Sequence, residues 1–172
     1  MHAYCLHCET QKCASVAQRI GTQYGYRCIY PTILQRIWIK GECREQLRPW
    51  LQGYVFLYTE EPVERFFRID GVIRWLGKDE LHGPDRAFAD LVLRQGGVQG
   101  PVSLAREGDR CTLSDPAWEH MSGTVVKVDR GRKRCCVEFS FDGVKRAIWV
   151  GYEMVEKSKG DRPEGMEDKA EG

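Results

Sequence analysis

A chain of 172 residues with a formal net charge of +1 allows one domain or two small ones, and it leaves no global field to draw the protein onto nucleic acid or a membrane. A hydrophobic fraction of 42% suffices for a core, and no stretch approaches the roughly 18 consecutive apolar residues of a membrane span. The opening MHAYCLHCE lacks the basic-then-apolar layout of a signal peptide, so a cytoplasmic address and no membrane partner are expected.

In chain order, residues 3–9 read as a short strand. Thr10 is expected to cap a helix running to Tyr24, with Cys13, Val16, Ala17 and Ile20 at three-and-four spacing. Tyr26 to Tyr30 reads as a second strand closed by Pro31. Residues 33–50 form an excursion turning at Lys40-Gly41. Gly53 to Tyr58 is a continuous apolar strand of the kind buried on both faces. Pro62 is expected to open a short helix to Arg68, Val72 to Leu76 is another strand, and Pro84 starts a helix with Phe88, Leu91 and Val92 on one side. The order predicts an α+β domain over residues 1–95, an antiparallel sheet covered by helices.

Gln95-Gly96-Gly97-Val98-Gln99-Gly100-Pro101 predicts a flexible linker over residues 96–106. Beyond it the period changes to two, with short runs at 110–113, 123–128, 135–139 and 147–150 separated by turn residues. These predict a small β-barrel over residues 107–156, followed by a disordered tail at 157–172.

Eight cysteines without a signal peptide suggest free thiols or metal ligation before disulfides. Cys5-x-x-Cys8 has knuckle-like spacing, but no second paired motif follows it, so buried apolar cysteines are the expectation and a zinc- or thiol-dependent regulator the lesser reading. No metal and no cofactor are implied.

No G-x-S-x-G, phosphate-binding glycine loop, H-E-x-x-H or patterned acidic pair is present, and binding is favoured over catalysis. The barrel carries the strongest binding signal. Lys127, Arg130, Arg132, Lys133, Arg134, Lys145 and Arg146 face three acidic residues over the same stretch, although residues 107–156 together hold eight basic and nine acidic groups. Positive charge is therefore sorted onto one hairpin turn and the strand after it, where Arg and Lys suit phosphates or RNA base faces. The excursion supplies a second, weaker patch of candidates for backbone contact: Arg36, Lys40, Arg44 and Arg48, with Trp38 and Trp50 close in sequence. The first domain also holds more aromatics than one small sheet needs, among them Tyr30, Tyr54, Phe56, Phe66, Phe67 and Trp75. Some are expected on an open face fitted to a protein partner.

Glu107 to Leu113 followed by Met121 to Asp129 resembles the KOW motif, with Gly123 at the position of its key glycine. Leu51-Gln52-Gly53-Tyr54-Val55-Phe56-Leu57 resembles the F-P-G-Y-V-F-V stretch of NusG proteins, Tyr30-Pro31-Thr32 their V-P-T, residues 71–77 their G-V-x-x-F-V-G, and residues 3–10 their opening strand. Leu51-Gln52 departs from the usual Phe-Pro, and residues 117–120 lack the common G-P-F-A. The basic turn exceeds that of a housekeeping NusG and is similar to the specialised LoaP-type paralogues.

The resemblance implies a NusG N-terminal domain of ferredoxin-like or RNP-like fold, joined to an SH3-like KOW barrel. It implies a monomeric transcription elongation or antitermination factor whose Leu51, Tyr54, Phe56 and Trp75 line a pocket for the β′ clamp helices of RNA polymerase. In the LoaP-like reading the barrel contacts a nascent RNA hairpin. In the housekeeping alternative it binds a ribosomal protein or Rho.

Overall fold

The computed structural model describes residues 1–64 and 68–156. Strands β1 (His2–Cys8) and β5 (Tyr54–Thr59) pair antiparallel in the middle of a four-stranded sheet, with β2 (Arg27–Ile29) and β6 (Val72–Trp75) at its edges. Every residue of β5 is buried, as its unbroken apolar run requires. Period two sends Val55 and Leu57 to one face and Tyr54, Phe56 and Tyr58 to the other. Helix α1 (Cys13–Tyr24) lays Cys13, Val16 and Ile20 on the first face. Helix α2 (Gly83–Arg94), with Pro84 in its first turn, lays Phe88, Ala89, Leu91 and Val92 on the second. The expected α+β layering is present.

Two helix expectations change. Thr10 starts a single 3-10 turn ending at Lys12; Lys12, not Thr10, occupies the N-cap of α1, and no side chain caps that helix. Pro62 to Glu64 has no regular structure, and residues 65–67 of the helix expected there lie outside the described residues. The excursion is a hairpin, β3 (Thr32–Ile39) with β4 (Glu42–Pro49), that stands apart from the central sheet.

The segment expected to be a linker carries strands. Strand β7 (Val98–Gln99) pairs in parallel with Thr32 and Ile33 of β3, and β8 (Val102–Glu107) is already a barrel strand. Gly97 admits this close approach: a Cβ there would come within 2.7 Å of the Ile29 side chain, at a φ of +86° that favours glycine. Gln99 is buried, its amide satisfied by donating to the Gly100 carbonyl at 2.8 Å and accepting from Trp118 Nε1 at 3.2 Å.

Strands β9 (Arg110–Leu113), β10 (Thr124–Asp129), β11 (Arg134–Phe141) and β12 (Val144–Val155) complete a five-stranded sheet in the order β10-β11-β12-β8-β9, curled into a nearly closed barrel. A short turn at Pro116–Trp118 leads to Gly123, where a Cβ would sit 3.0 Å from the Trp118 ring and 3.1 Å from Leu113 Cδ2. Overpacking of this order costs about 1–3 kcal/mol. Gly123→Ala is therefore expected to lower the midpoint of thermal unfolding; an unchanged midpoint would mean that the ring has room to move. The tail expected to be disordered, residues 157–172, lies outside the described residues.

The barrel is docked on α2 and the open face of the sheet, so one continuous core joins both lobes. Phe88 stacks on Phe139 with centroids 5.1 Å apart, Trp50 meets Trp118 at 5.8 Å, and Tyr54 and Phe56 meet Phe141 at 5.2 and 5.7 Å. This accounts for the aromatic surplus of the first lobe. Trp50, Tyr54 and Phe56, expected partly on an open face, are buried beneath the barrel. Trp38 alone among these aromatics is strongly exposed, at 65%; Phe66 and Phe67 lie outside the described residues. Among the described residues no helix is long and apolar enough to cross a membrane.

Candidate nucleic-acid interface and docking face

The basic turn between β10 and β11 is organised by one carboxylate. Asp129 accepts the backbone N–H of Arg132 at 3.1 Å and the Arg134 Nε at 3.3 Å, and pairs with the Arg132 guanidinium at 3.6 Å. The Arg132 N–H first, and then the two guanidinium groups, hold the Asp129 carboxyl below the usual carboxylate range. Lys133 sits at the tip with a φ of +47°, and its carbonyl accepts from Tyr152 N at 3.2 Å. Arg134 leans back over Trp149, its guanidinium carbon 4.6 Å from the ring centroid, a cation–π contact. Arg130 is exposed on the same turn. One acidic residue and one aromatic thus hold Arg132 and Arg134 in place, with Arg130 and Lys133 exposed on the same turn.

The remaining barrel candidates separate from this group. Lys127 is exposed on β10 opposite Cys136. Lys145 lies near the far end of the β11–β12 hairpin and pairs with Glu138 at 3.3 Å. Arg146 points the other way. Adjacent strand residues face opposite sides of a sheet, and Arg146 lies opposite the inward-facing Phe139 while Lys145 lies opposite the exposed Ser140.

Arg146 therefore reaches into the contact between the lobes. Its Nη2 donates to the Tyr54 hydroxyl at 3.2 Å, and its guanidinium lies 5.5 Å from the Tyr54 ring centroid. The Tyr54 hydroxyl in turn donates to Asp142 at 3.1 Å. Asp142 also pairs with Arg74 at 3.3 Å, and its backbone N–H donates to Asp85 at 2.9 Å. Burial raises the pKa of Tyr54, with Asp142 adding to the effect. Among the described residues Arg146 Nε and Trp50 Nε1 are buried without a hydrogen-bond partner. Each such group costs about 1–3 kcal/mol, so the contact between the lobes combines a large apolar gain with polar strain.

The four residues expected to form one docking pocket do not share a face. Leu51, Tyr54 and Phe56 are buried on the barrel side, whereas Trp75 packs edge-on against Tyr4 at 5.8 Å among the residues facing α1. Strand register fixes that division for Tyr54, Phe56 and Trp75, and Leu51, in the turn before β5, packs with the barrel-side core.

In the excursion, Arg36 pairs with Glu45 at 3.4 Å and Arg44 with Glu42 at 3.1 Å; Arg48 donates to Gln46 at 3.2 Å, and Lys40 occupies the exposed turn. Gln35 on the same strand donates its amide to the Trp149 carbonyl at 3.3 Å. The hairpin thus leans on the barrel next to the basic turn, and Arg36, Arg132, Lys133, Arg134 and Trp149 line one recess between them. Two patches that lie nearly a hundred residues apart in sequence become neighbours.

Cys5, Cys8, Cys13 and Cys135 are buried free thiols. Burial raises the pKa of each, for Cys8 to about 12, which disfavours the thiolate needed for metal ligation or nucleophilic attack. Among the described residues no group of three His, Cys, Asp or Glu side chains is placed to hold a metal ion.

Trp149, Asp129, Gln35, Asp85 and Asp142 are members of these sites that sequence reading missed. Only Trp149 carried a signal: it sits one residue from an inward position on a strand with period two, and so faces outward beside the turn.

These features define a two-lobed α+β protein with a small barrel docked on an aromatic sheet face and a basic recess at the seam. No model of a known protein family matches the chain, and no curated protein matches it. Among solved structures, it is similar to the one described as "Domain interaction in Thermotoga maritima NusG", at 13% identity and a TM-score of 0.44, over 87% of this chain and 93% of that one.

Proposed function

We propose that this protein is a non-enzymatic, cytoplasmic transcription elongation or antitermination factor of NusG type, closest in character to the LoaP-like paralogues. It binds RNA polymerase through its first lobe, an N-terminal domain of NusG kind, and nascent RNA through its KOW-like barrel. The polymerase half rests on the motif resemblance at Leu51 to Leu57 and residues 71–77. The RNA half rests on the observation that carries the reading: a basic turn braced by Asp129 and seated on Trp149, cations and an aromatic held together as RNA backbone and base faces require.

The docked barrel covers Tyr54 and Phe56, so polymerase docking through those side chains requires the lobes to part. The unpartnered Arg146 Nε at the seam lowers the cost of that parting.

Charge reversal of Arg132, Lys133 and Arg134 tests the RNA half. Counterion release gives a slope of about −0.7 per phosphate contacted in a single strand. The triple variant is therefore expected to flatten the dependence of log affinity on log salt by about two, with a large loss of RNA affinity at low salt. Affinity that survives with an unchanged slope would move the reading to a protein adaptor, with a ribosomal protein or Rho as the barrel's partner.

A further inference from the structure

We infer that the recess at the seam is a composite site for single-stranded nucleic acid, gripped by both lobes at once and complete only while the barrel is docked. This deepens the RNA reading above and rests on it. Strand β3 is paired along its whole length with β4, but β7 covers its other edge only at Thr32 and Ile33. From Leu34 on, that free edge runs beside β12, and Gln35 ties it to the carbonyl of Trp149 at 3.3 Å. The recess between them is lined on the hairpin side by Gln35 and Arg36, and on the barrel side by Arg132, Lys133, Arg134 and Trp149.

Each lining group suits a different part of a nucleotide. Arg134, laid over the Trp149 ring, offers a guanidinium plane backed by an indole, a surface of the kind that stacks on bases. Lys133 makes no ion pair among the described residues, and it lines the recess with Arg132 and Arg36, all three exposed, where flanking phosphates would pass. Carboxylates at this place are few and mostly engaged: Asp129 holds the turn, Glu45 holds Arg36, and only Glu153 lines the recess itself. A duplex keeps its bases stacked inward and presents no free base face to such a recess, so an unpaired segment is the fitting occupant. The site differs from one on the barrel alone in a checkable way, because Arg36 belongs to the other lobe.

The test titrates full-length protein into a fluorescein-labelled oligoadenylate, and separately into the matching oligodeoxyadenylate, following anisotropy at several salt concentrations. Arg132→Glu and Arg36→Glu, both at exposed side chains, are each expected to weaken binding about tenfold and to reduce the salt slope by about one. Trp149→Ala is expected to weaken it by a similar factor through lost stacking. Binding of both oligomers, or of RNA alone, supports the site and says which sugar it accepts. If Arg132→Glu weakens binding while Arg36→Glu leaves affinity and slope unchanged, the composite site is overturned and the RNA-binding barrel stands. If neither substitution matters, both are overturned.

Discussion

Replacing Phe88 with alanine is expected to destabilise the protein by about 3–5 kcal/mol, the usual range for emptying a fully buried phenylalanine site. The size follows from its position. Phe88 has no solvent exposure and sits on α2 between the sheet and the barrel. Its ring lies 5.0 Å from Trp50 and 5.6 Å from Phe56 on the first lobe, and 5.1 Å from Phe139 and 5.2 Å from Phe141 on the second. The cavity would open where the two lobes meet, among rigid aromatic planes that collapse poorly.

The loss should therefore fall on the coupling between lobes as well as on total stability. In urea the native chain is expected to unfold in one transition and Phe88→Ala in two, the barrel separating first. Ile20→Val is the control, since it thins the packing of α1 on the far face of the sheet, away from the barrel. It should cost about 0.5–1.5 kcal/mol and leave the transition single. A single transition for Phe88→Ala, shifted no further than that of the control, would show that the seam contributes little to holding the chain together.

Much of the scaffold was legible because it depends on local periodicity. The run Gly53 to Tyr58 could only be a buried strand, and the spacing of Cys13, Val16 and Ile20, like that of Phe88, Leu91 and Val92, placed both helix faces correctly. The four barrel strands after residue 109 followed from alternation and turn residues. What escaped was the meeting of the two halves. Glycines at 96, 97 and 100 read as slack chain, yet one of them is glycine because Ile29 packs against its Cα, and Gln99 between them is a buried hydrogen-bonding residue. Composition cannot distinguish a loose glycine from one that allows close approach.

The candidate sites divide in the same way. The clustering of Arg130 to Arg134 on one turn was legible because charge density there is a local property. Arg146 was grouped with Lys145 although strand alternation separates them, and Trp75 was grouped with Tyr54 although the register puts them on opposite faces. The approach of Arg36 to the basic turn depends on tertiary docking and has no local signature.

An RNA that bridges the seam must also hold the lobes together. A ligand shifts a two-state equilibrium only by its difference in affinity for the two states, and the coupling is reciprocal. If the undocked protein retains only the barrel half of the recess, RNA stabilises the docked arrangement, and a partner that needs Tyr54 and Phe56 exposed weakens RNA binding by the same factor. The effect is visible once docking is made marginal. Asp142→Asn removes the charge that receives Tyr54 and Arg74 while keeping a residue tolerant of the φ of +53° found there. Losing these charged hydrogen bonds in a partly buried place should cost about 1–3 kcal/mol of docking.

The chain has five tryptophans, two of which, Trp50 and Trp118, touch across the seam. Fluorine NMR of the 5-fluorotryptophan-labelled variant should show a second set of signals for these two. Saturating oligoadenylate should then return intensity to the docked set. At a free concentration of 100 times the dissociation constant, a ligand binding one state alone supplies about 2.7 kcal/mol, close to a hundredfold shift in the ratio. Residual affinity of the undocked barrel reduces that shift to the ratio of the two affinities. RNA that instead drains the docked signals would mean that it binds the parted lobes better, and Arg36 would then lie outside the site.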